Sequence, residues 1–200
     1  MHFLITAGGT REYIDPVRFI SNASSGKMGC ALAKAAAKNG HKVTLITTPS
    51  VTIIVKNIKT VKAETAAQML DAVKKYFTKC NCLIMAAAVA DYTVKKTADS
   101  KIKKSNKTLT VKLKPTTDIL KWAGQNKKNN QLVVGFALED RNLRTNAEQK
   151  LKAKNLDMII ANNLTTINSD SCSVQIKTKS NKWLNLPKTT KTTAAAKIIS

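Results

Sequence analysis

Aromatic residues are scarce in this 200-residue chain, at 4%. That is a poor supply for stacking the bases of single-stranded nucleic acid. Histidine occurs only as His2 and His41, both beside predicted strands. Of the cysteines, Cys30, Cys80, Cys82 and Cys172, one pair is close, and its C-x-C spacing is not the C-x-x-C of zinc or dithiol sites. Buried, inert thiols are therefore expected rather than a structural zinc site. No apolar run approaches the ~18 residues of a membrane span. The start, Met1 to Gly8, lacks the basic-then-apolar order of a signal peptide. A cytoplasmic protein with no membrane partner is the expectation. Acidic residues are few as well, 12 against 34 basic ones, for a net charge of +22.

What is present suits one domain. The length is ample for one and short for two ordinary ones. Hydrophobic residues make up 43%, enough for a packed core. The positive field favours anionic partners, whether nucleic acid, acidic membrane or phosphorylated small molecules. Arginine occurs only at Arg11, Arg18, Arg141 and Arg144, so plain lysine-for-arginine usage is the bland alternative. Without a reader motif, nucleic acid is the least favoured partner.

Apolar runs alternate with helical patterns. Strands are predicted at Phe3–Ile5, Lys42–Thr47, Thr60–Lys62, Cys82–Val89, Leu132–Ala137 and Asp157–Ala161. Thr108–Leu113 alternates like an exposed strand, which in a monomer would be an unprotected edge. Ser173–Lys177 and Lys182–Leu186 read as a hairpin around Ser180-Asn181. Helices are predicted at Lys27–Lys38, stopped by Asn39-Gly40, and from the capping box Thr65-Ala66-Ala67-Gln68 to Phe77. Others start at Thr116 and span Asn142–Lys154 and Lys191–Ile199. The order predicts an α/β fold: a Rossmann-like, mostly parallel sheet with helices on both faces and a small antiparallel strand extension. Ligands in such folds sit at the carboxyl ends of strands, here after Ile5, Met85 and Val134.

Three segments stand out. The connection from Ala7 to Gly26 far exceeds the ~2–6 residues usual between strand and helix. It carries Gly8-Gly9-Thr10, Arg18, Asn22 and Ser24-Ser25-Gly26. Glycines permit close backbone approach, and a hydroxyl-rich helix start suits phosphate. The alternative is a long surface loop with Ser24 or Ser25 as a mere cap. Neither G-x-G-x-x-G nor a Walker A loop is present, which weighs against a nucleotide-cofactor oxidoreductase on this fold. Next, Ala86-Ala87-Ala88-Val89-Ala90-Asp91 ends a buried run in small side chains and a carboxylate. It reads equally as room for a ligand, with Asp91 on a ribose or metal, or as tight helix packing with Asp91 as a cap. Last, residues 95–128 hold 11 Lys and 2 Asp. Most of that lysine is read as a solvated face; one or two residues suit a triphosphate clamp.

Together these stretches resemble the phosphopantothenate–cysteine ligase (phosphopantothenoylcysteine synthetase) family. The resemblance rests on Ala7–Glu12, Ile14–Asn22, Ser24–Gly29, Ala86–Tyr92, Lys101–Lys104, Gly135–Glu139 and Asn155–Asn162, in that order along the chain. Two positions depart from the family habit: Thr93-Val94 follows Asp91-Tyr92 where Arg-Pro is common, and Thr116-Thr117 precedes Asp118 where Asn-Pro is common.

The resemblance implies joining the carboxylate of 4′-phosphopantothenate to the amine of L-cysteine. CTP and Mg2+ would activate the acid; an ATP-using relative is the variant. It implies catalytic roles for Asn22 at the activated acyl group, Arg18 at the acyl end or phosphate, and Lys101 near the nucleotide. It implies nucleotide contacts from Met85, Ala86, Ala87, Asp91, Thr117, Asp118, Ile119, Leu120, Phe136, Lys150 and Lys154. Gly8, Gly9, Ser24, Ser25 and Gly26 join that set as the phosphate loop. The metal ligands are left unassigned. It implies a stand-alone synthetase, a homodimer joined through Thr93–Leu113, and a separate phosphopantothenoylcysteine decarboxylase as partner.

Overall fold

Strand β1 (His2–Ala7) is apolar at nearly every position because both of its faces are covered. Phe3, Ile5 and Ala7 point to one layer, and Leu4 to the other. The computed structural model describes residues 1–163, 169–180 and 182–200, so Asn181 of the expected turn lies outside the described residues.

In chain order the elements are β1, β2 (Arg11–Tyr13), β3 (Phe19–Ser21), α1 (Lys27–Lys38), β4 (Lys42–Thr47) and β5 (Lys59–Lys62). Then come α2 (Ala66–Phe77), β6 (Cys82–Met85), β7 (Tyr92–Val94), β8 (Leu113–Pro115), α3 (Ile119–Asn126) and β9 (Leu132–Glu139). The last are α4 (Leu143–Ala153), β10 (Met158–Asn163), β11 (Ser171–Thr178), β12 (Leu184–Thr190) and α5 (Lys191–Ile199). The main sheet runs β12-β11-β10-β9-β6-β1-β4-β5. The six strands from β10 to β5 are parallel, and β11 and β12 extend the sheet antiparallel. This is the Rossmann-like α/β arrangement expected.

Helices α1 and α5 cover one face through Leu32, Ala33, Ala36, Ala194 and Ala195. Helices α2, α3 and α4 cover the other through Met69, Val73, Phe77, Ala123 and Leu151. Each fully buried large side chain of this kind contributes roughly 1.5–3 kcal/mol. Helix α2 starts at the capping box: Gln68 N–H donates to Thr65 Oγ1 at 3.2 Å, and Gln68 Oε1 accepts from the Thr65 backbone. Such caps contribute about 1 kcal/mol. All four cysteines are buried and unpaired. Burial pushes the Cys80 thiol up to about 11 and Cys82 to about 12, which keeps both protonated and inert.

Two expectations need correction. The buried strand ends at Met85, and residues 86–91 leave the ladder as a loop. Thr108–Val111 is not a strand, so the argument from an open edge there lapses. Only Leu113–Pro115 is extended, paired with Tyr92–Val94. The apolar half of that alternation stays largely in solvent, with Leu109 53% and Leu113 44% exposed, so no buried face holds a strand there. The small hairpin β2–β3 was not anticipated.

Candidate active site

The order of strands reverses at β1: the chain first builds β4 and β5 on one side, then β6, β9 and β10 on the other. The crevice above the carboxyl ends of β1 and β6 is therefore a topological switch point. Two loops meet there. Ala88 N–H donates to Gly8 O at 2.8 Å, and Gly9 and Ala88 pair as a parallel bridge. Ala87 N–H donates to Thr6 Oγ1 at 3.1 Å and Ala90 N–H to Thr10 Oγ1 at 2.9 Å. Buried threonine hydroxyls thus continue the sheet where the strands have ended.

Gly8 and Gly9 serve this junction and do not line the cleft. Gly8 has φ +95°, and a Cβ on it would lie 2.0 Å from Thr48 Oγ1. A Cβ on Gly9 would lie 2.4 Å from the Asn22 carbonyl oxygen. Each glycine admits a loop-on-loop contact that a side chain would block.

The cleft itself has a volume of about 620 Å³, within the range of small-molecule sites. It brings together Asn22, Ser24, Ser25 and Gly26 from the first connection; Met85, Ala86, Ala87 and Asp91; Thr117 to Leu120; Phe136; and Lys150 and Lys154. Asn22 Nδ2 donates to Val89 O at 3.1 Å, which fixes the amide against the alanine loop. Helix α1 opens into the cleft at Gly26, with no side-chain cap and no acidic residue in its first turn. Neither Ser24 nor Ser25 caps the helix, so its first N–H groups and dipole favour an anion. Asp91 is an exposed carboxylate on the rim and caps no helix. Its backbone carbonyl accepts from Thr116 N–H at 2.9 Å.

Opposite α1, Asp118 caps α3 by accepting from Lys121 N–H at 2.9 Å and pairs with Lys154 Nζ at 2.8 Å. Burial works to raise the Asp118 carboxyl, but these donors hold it below its ordinary value. Lys150 Nζ donates to Phe136 O at 2.8 Å. Burial chiefly, with help from the Lys154 cation, pushes the Lys150 ammonium below its ordinary range against the pull of Glu139, Asp118 and Asp91.

Arg18 and Lys101 lie outside this lining. Arg18 pairs with Asp15, and its guanidinium also donates to Ile102 O at 2.6 Å. Residues not anticipated for the site also line it: Leu138, Asn162, Cys172 and Lys191; Lys27, the residue after Gly26, lines it too. Lys27 pairs with Asp170 at 2.6 Å, and burial chiefly lowers the Lys191 ammonium. Distant elements deliver these groups. Leu138 and Asn162, at the carboxyl ends of β9 and β10, were findable from topology. Among the described residues no group of three or more His, Cys, Asp or Glu is placed to hold a metal.

The model of the DNA/pantothenate metabolism flavoprotein C-terminal domain matches residues 1–200. The chain belongs to that family. The resemblance to phosphopantothenate–cysteine ligases holds at this level.

The chain is 46% identical over 164 residues to the coenzyme A biosynthesis bifunctional protein CoaBC of Bacillus subtilis (strain 168), covering 82% of this chain and 40% of that protein. It is 51% identical over 162 residues to a protein of an unknown prokaryotic organism named cysteine/cysteine sulfinic acid decarboxylase, covering 80% of this chain and 45% of that one. This family member therefore spans less than half the length of those two relatives. Its fold matches the crystal structure of the C-terminal domain of a coenzyme A biosynthesis bifunctional protein CoaBC, with TM-score 0.85 and 38% identity over 99% of this chain and 91% of that one. No helix among the described residues is long and apolar enough to cross a membrane.

Proposed function

We propose that this domain is a phosphopantothenate–cysteine ligase that uses CTP. The observation that carries the reading is Asn22, held against the Ala86–Asp91 loop in a cleft that also presents the α1 N-terminus, Lys150 and Lys154. One compartment thus offers a neutral amide for an acyl group beside positive groups for a nucleotide.

A carboxylate is a poor electrophile, so activation comes first. A carboxylate oxygen of 4′-phosphopantothenate attacks the α-phosphorus of CTP; the bond to the bridging oxygen breaks and pyrophosphate leaves. The cysteine amine then attacks the acyl carbon, the carbon–oxygen bond to CMP breaks, and the amine loses a proton to solvent. The chain contributes positioning and charge rather than a nucleophile. Asn22 orients the acyl group. The backbone of Met85–Ala87 and the turn Thr117–Leu120 frame the nucleotide, and Lys150 and Lys154 balance its charge.

Mg2+ of the kind held by substrate phosphates, water and one or two carboxylates fits this donor set, with Asp91 as the carboxylate. When bound it would neutralise charge on the phosphates.

The wide apolar exposure on the paired hairpins supports a homodimer. Val17 is 57% exposed, Phe19 41%, Tyr92 56% and Leu113 44%, on elements that touch one another. Apolar patches of this kind mark interaction surfaces. Lys101 is read as serving the site formed where two copies meet. Ile20→Asp, on β3 in the same patch, is expected to yield a monomer by analytical ultracentrifugation. An unchanged dimer would place the interface elsewhere.

The function is tested by supplying 4′-phosphopantothenate, L-cysteine, Mg2+ and either CTP or ATP, and weighing the product by mass spectrometry. Phosphopantothenoylcysteine with CMP and pyrophosphate is expected. Product with ATP alone would move the domain to the ATP-using branch, and no amide with either nucleotide would overturn the reading.

A further inference from the structure

The Asp15 side chain is fully buried, at 0% exposure, in a hairpin whose Val17, Phe19 and Ile20 are exposed. Its Oδ1 accepts from Val17 N–H and Arg18 N–H, both at 2.8 Å, which makes the tight turn after Pro16. Its Oδ2 accepts from Arg18 Nε at 2.9 Å, from the Arg18 Nη2, and from Ile102 N–H at 3.1 Å. The same Arg18 Nη2 donates to Ile102 O. Both backbone polar groups of Ile102 are thus satisfied by one carboxylate–guanidinium pair from a distant part of the chain. That pair substitutes for a neighbouring strand.

The surroundings make the contact consequential. Among the described residues, 99–111 form no other hydrogen bond to the rest of the chain; the nearest ties are Ala98 N–H to Ile14 O at 2.9 Å and Lys95 N–H to Lys112 O at 2.9 Å. Lys101, Lys103 and Lys104 are exposed and repel one another. Such a segment has every reason to stay solvated, since ordering a residue costs about 1–2 kcal/mol of backbone entropy. Charge-assisted hydrogen bonds to a buried, forked pair are strong enough to offset that at one peptide. The Arg18 guanidinium chiefly, with backbone donors, holds the Asp15 carboxyl well below the usual carboxylate range, so the pair stays charged throughout the neutral range.

We propose that Asp15 is a positioning residue for the ligase reaction. Through Arg18 and the Ile102 peptide it sets where the adjacent Lys101 stands, and Arg18 acts by the same route rather than by touching substrate. This rests on the reading above in which Lys101 takes part in the reaction.

Asp15→Asn keeps the shape but presents N–H groups where Oδ2 now accepts. Amide-forming turnover is expected to fall on the order of 10²-fold, the cost of a misplaced catalytic group. The KM for the nucleotide should stay within about twofold, because the α1 and Lys150 walls are untouched. The decisive arm is a double-mutant cycle with Lys101→Met. In that background Asp15→Asn should cost no more than about twofold further, since the group it positions is gone. Hydrogen exchange at the Ile102 amide should accelerate while the alanine loop stays protected. Arg18→Lys, which keeps the charge and loses the fork, should give the same pattern and replaces Asp15→Asn if that variant does not fold. Independent, multiplying losses in the cycle would overturn the assignment alone. A wild-type protein that forms no amide would overturn the ligase reading, and this assignment with it.

Discussion

Asn22→Asp is expected to reduce turnover by about 10²–10³-fold, the usual loss when a preorganised donor to a developing charge is removed. The amide now donates to Val89 O at 3.1 Å. A carboxylate at that position has no N–H to donate, and the Val89 carbonyl repels it. The side chain would swing away and add a negative charge where the acyl–phosphate junction already carries one. Stability should change little, because Asn22 is exposed. Rapid-quench measurement separates the two steps: activation should slow, or the acyl-nucleotide should fail to proceed to amide. Unchanged turnover in a folded variant would remove Asn22 from the site.

Lys150→Met should weaken nucleotide binding by on the order of 10²-fold, equivalent to about 2–3 kcal/mol, as when one partner of a desolvated charge contact is truncated. Methionine replaces the aliphatic stem and deletes the amine, leaving Phe136 O without its donor. The pH profile gives an independent check. Only the ammonium form attracts phosphate, so wild-type affinity is lost as pH rises through the Lys150 pKa. Burial has lowered that pKa, so the loss should begin below the ordinary lysine range of about 10.4. The methionine variant should lack this limb. Equal alkaline decline in both proteins would show that another group titrates.

Local signals carried much of the fold. Helix α1 runs Lys27–Lys38 and stops where Asn39-Gly40 turns left-handed at Gly40, and α2 begins at the capping box. These features involve residues a few positions apart, so sequence alone expresses them. The position of the cleft followed from the strand order, which alternating strand and helix patterns convey.

Long-range hydrogen bonding was not legible. Glu12 sits 3% exposed with its carboxylate on Ala66 N–H at 2.8 Å, helping to start a helix far along the chain. Asp15 does the same for Ile102. Both lie in short strands or turns whose periodicity is too brief to register. Cys172 and Lys191 reach the cleft from β11 and α5, and no local pattern links them to it. The glycines at 8 and 9 were legible, but the loop-on-loop contacts that each admits join residues far apart in the chain.

The central claim is that the cleft makes a mixed anhydride between an acid and a nucleotide before any amine arrives. Isotope exchange tests it most directly. The protein is incubated with CTP, Mg2+, labelled pyrophosphate and no cysteine. Label entering CTP only when 4′-phosphopantothenate is added is the predicted result. No acid-dependent exchange in folded protein, or release of inorganic phosphate and a nucleoside diphosphate instead, would contradict it.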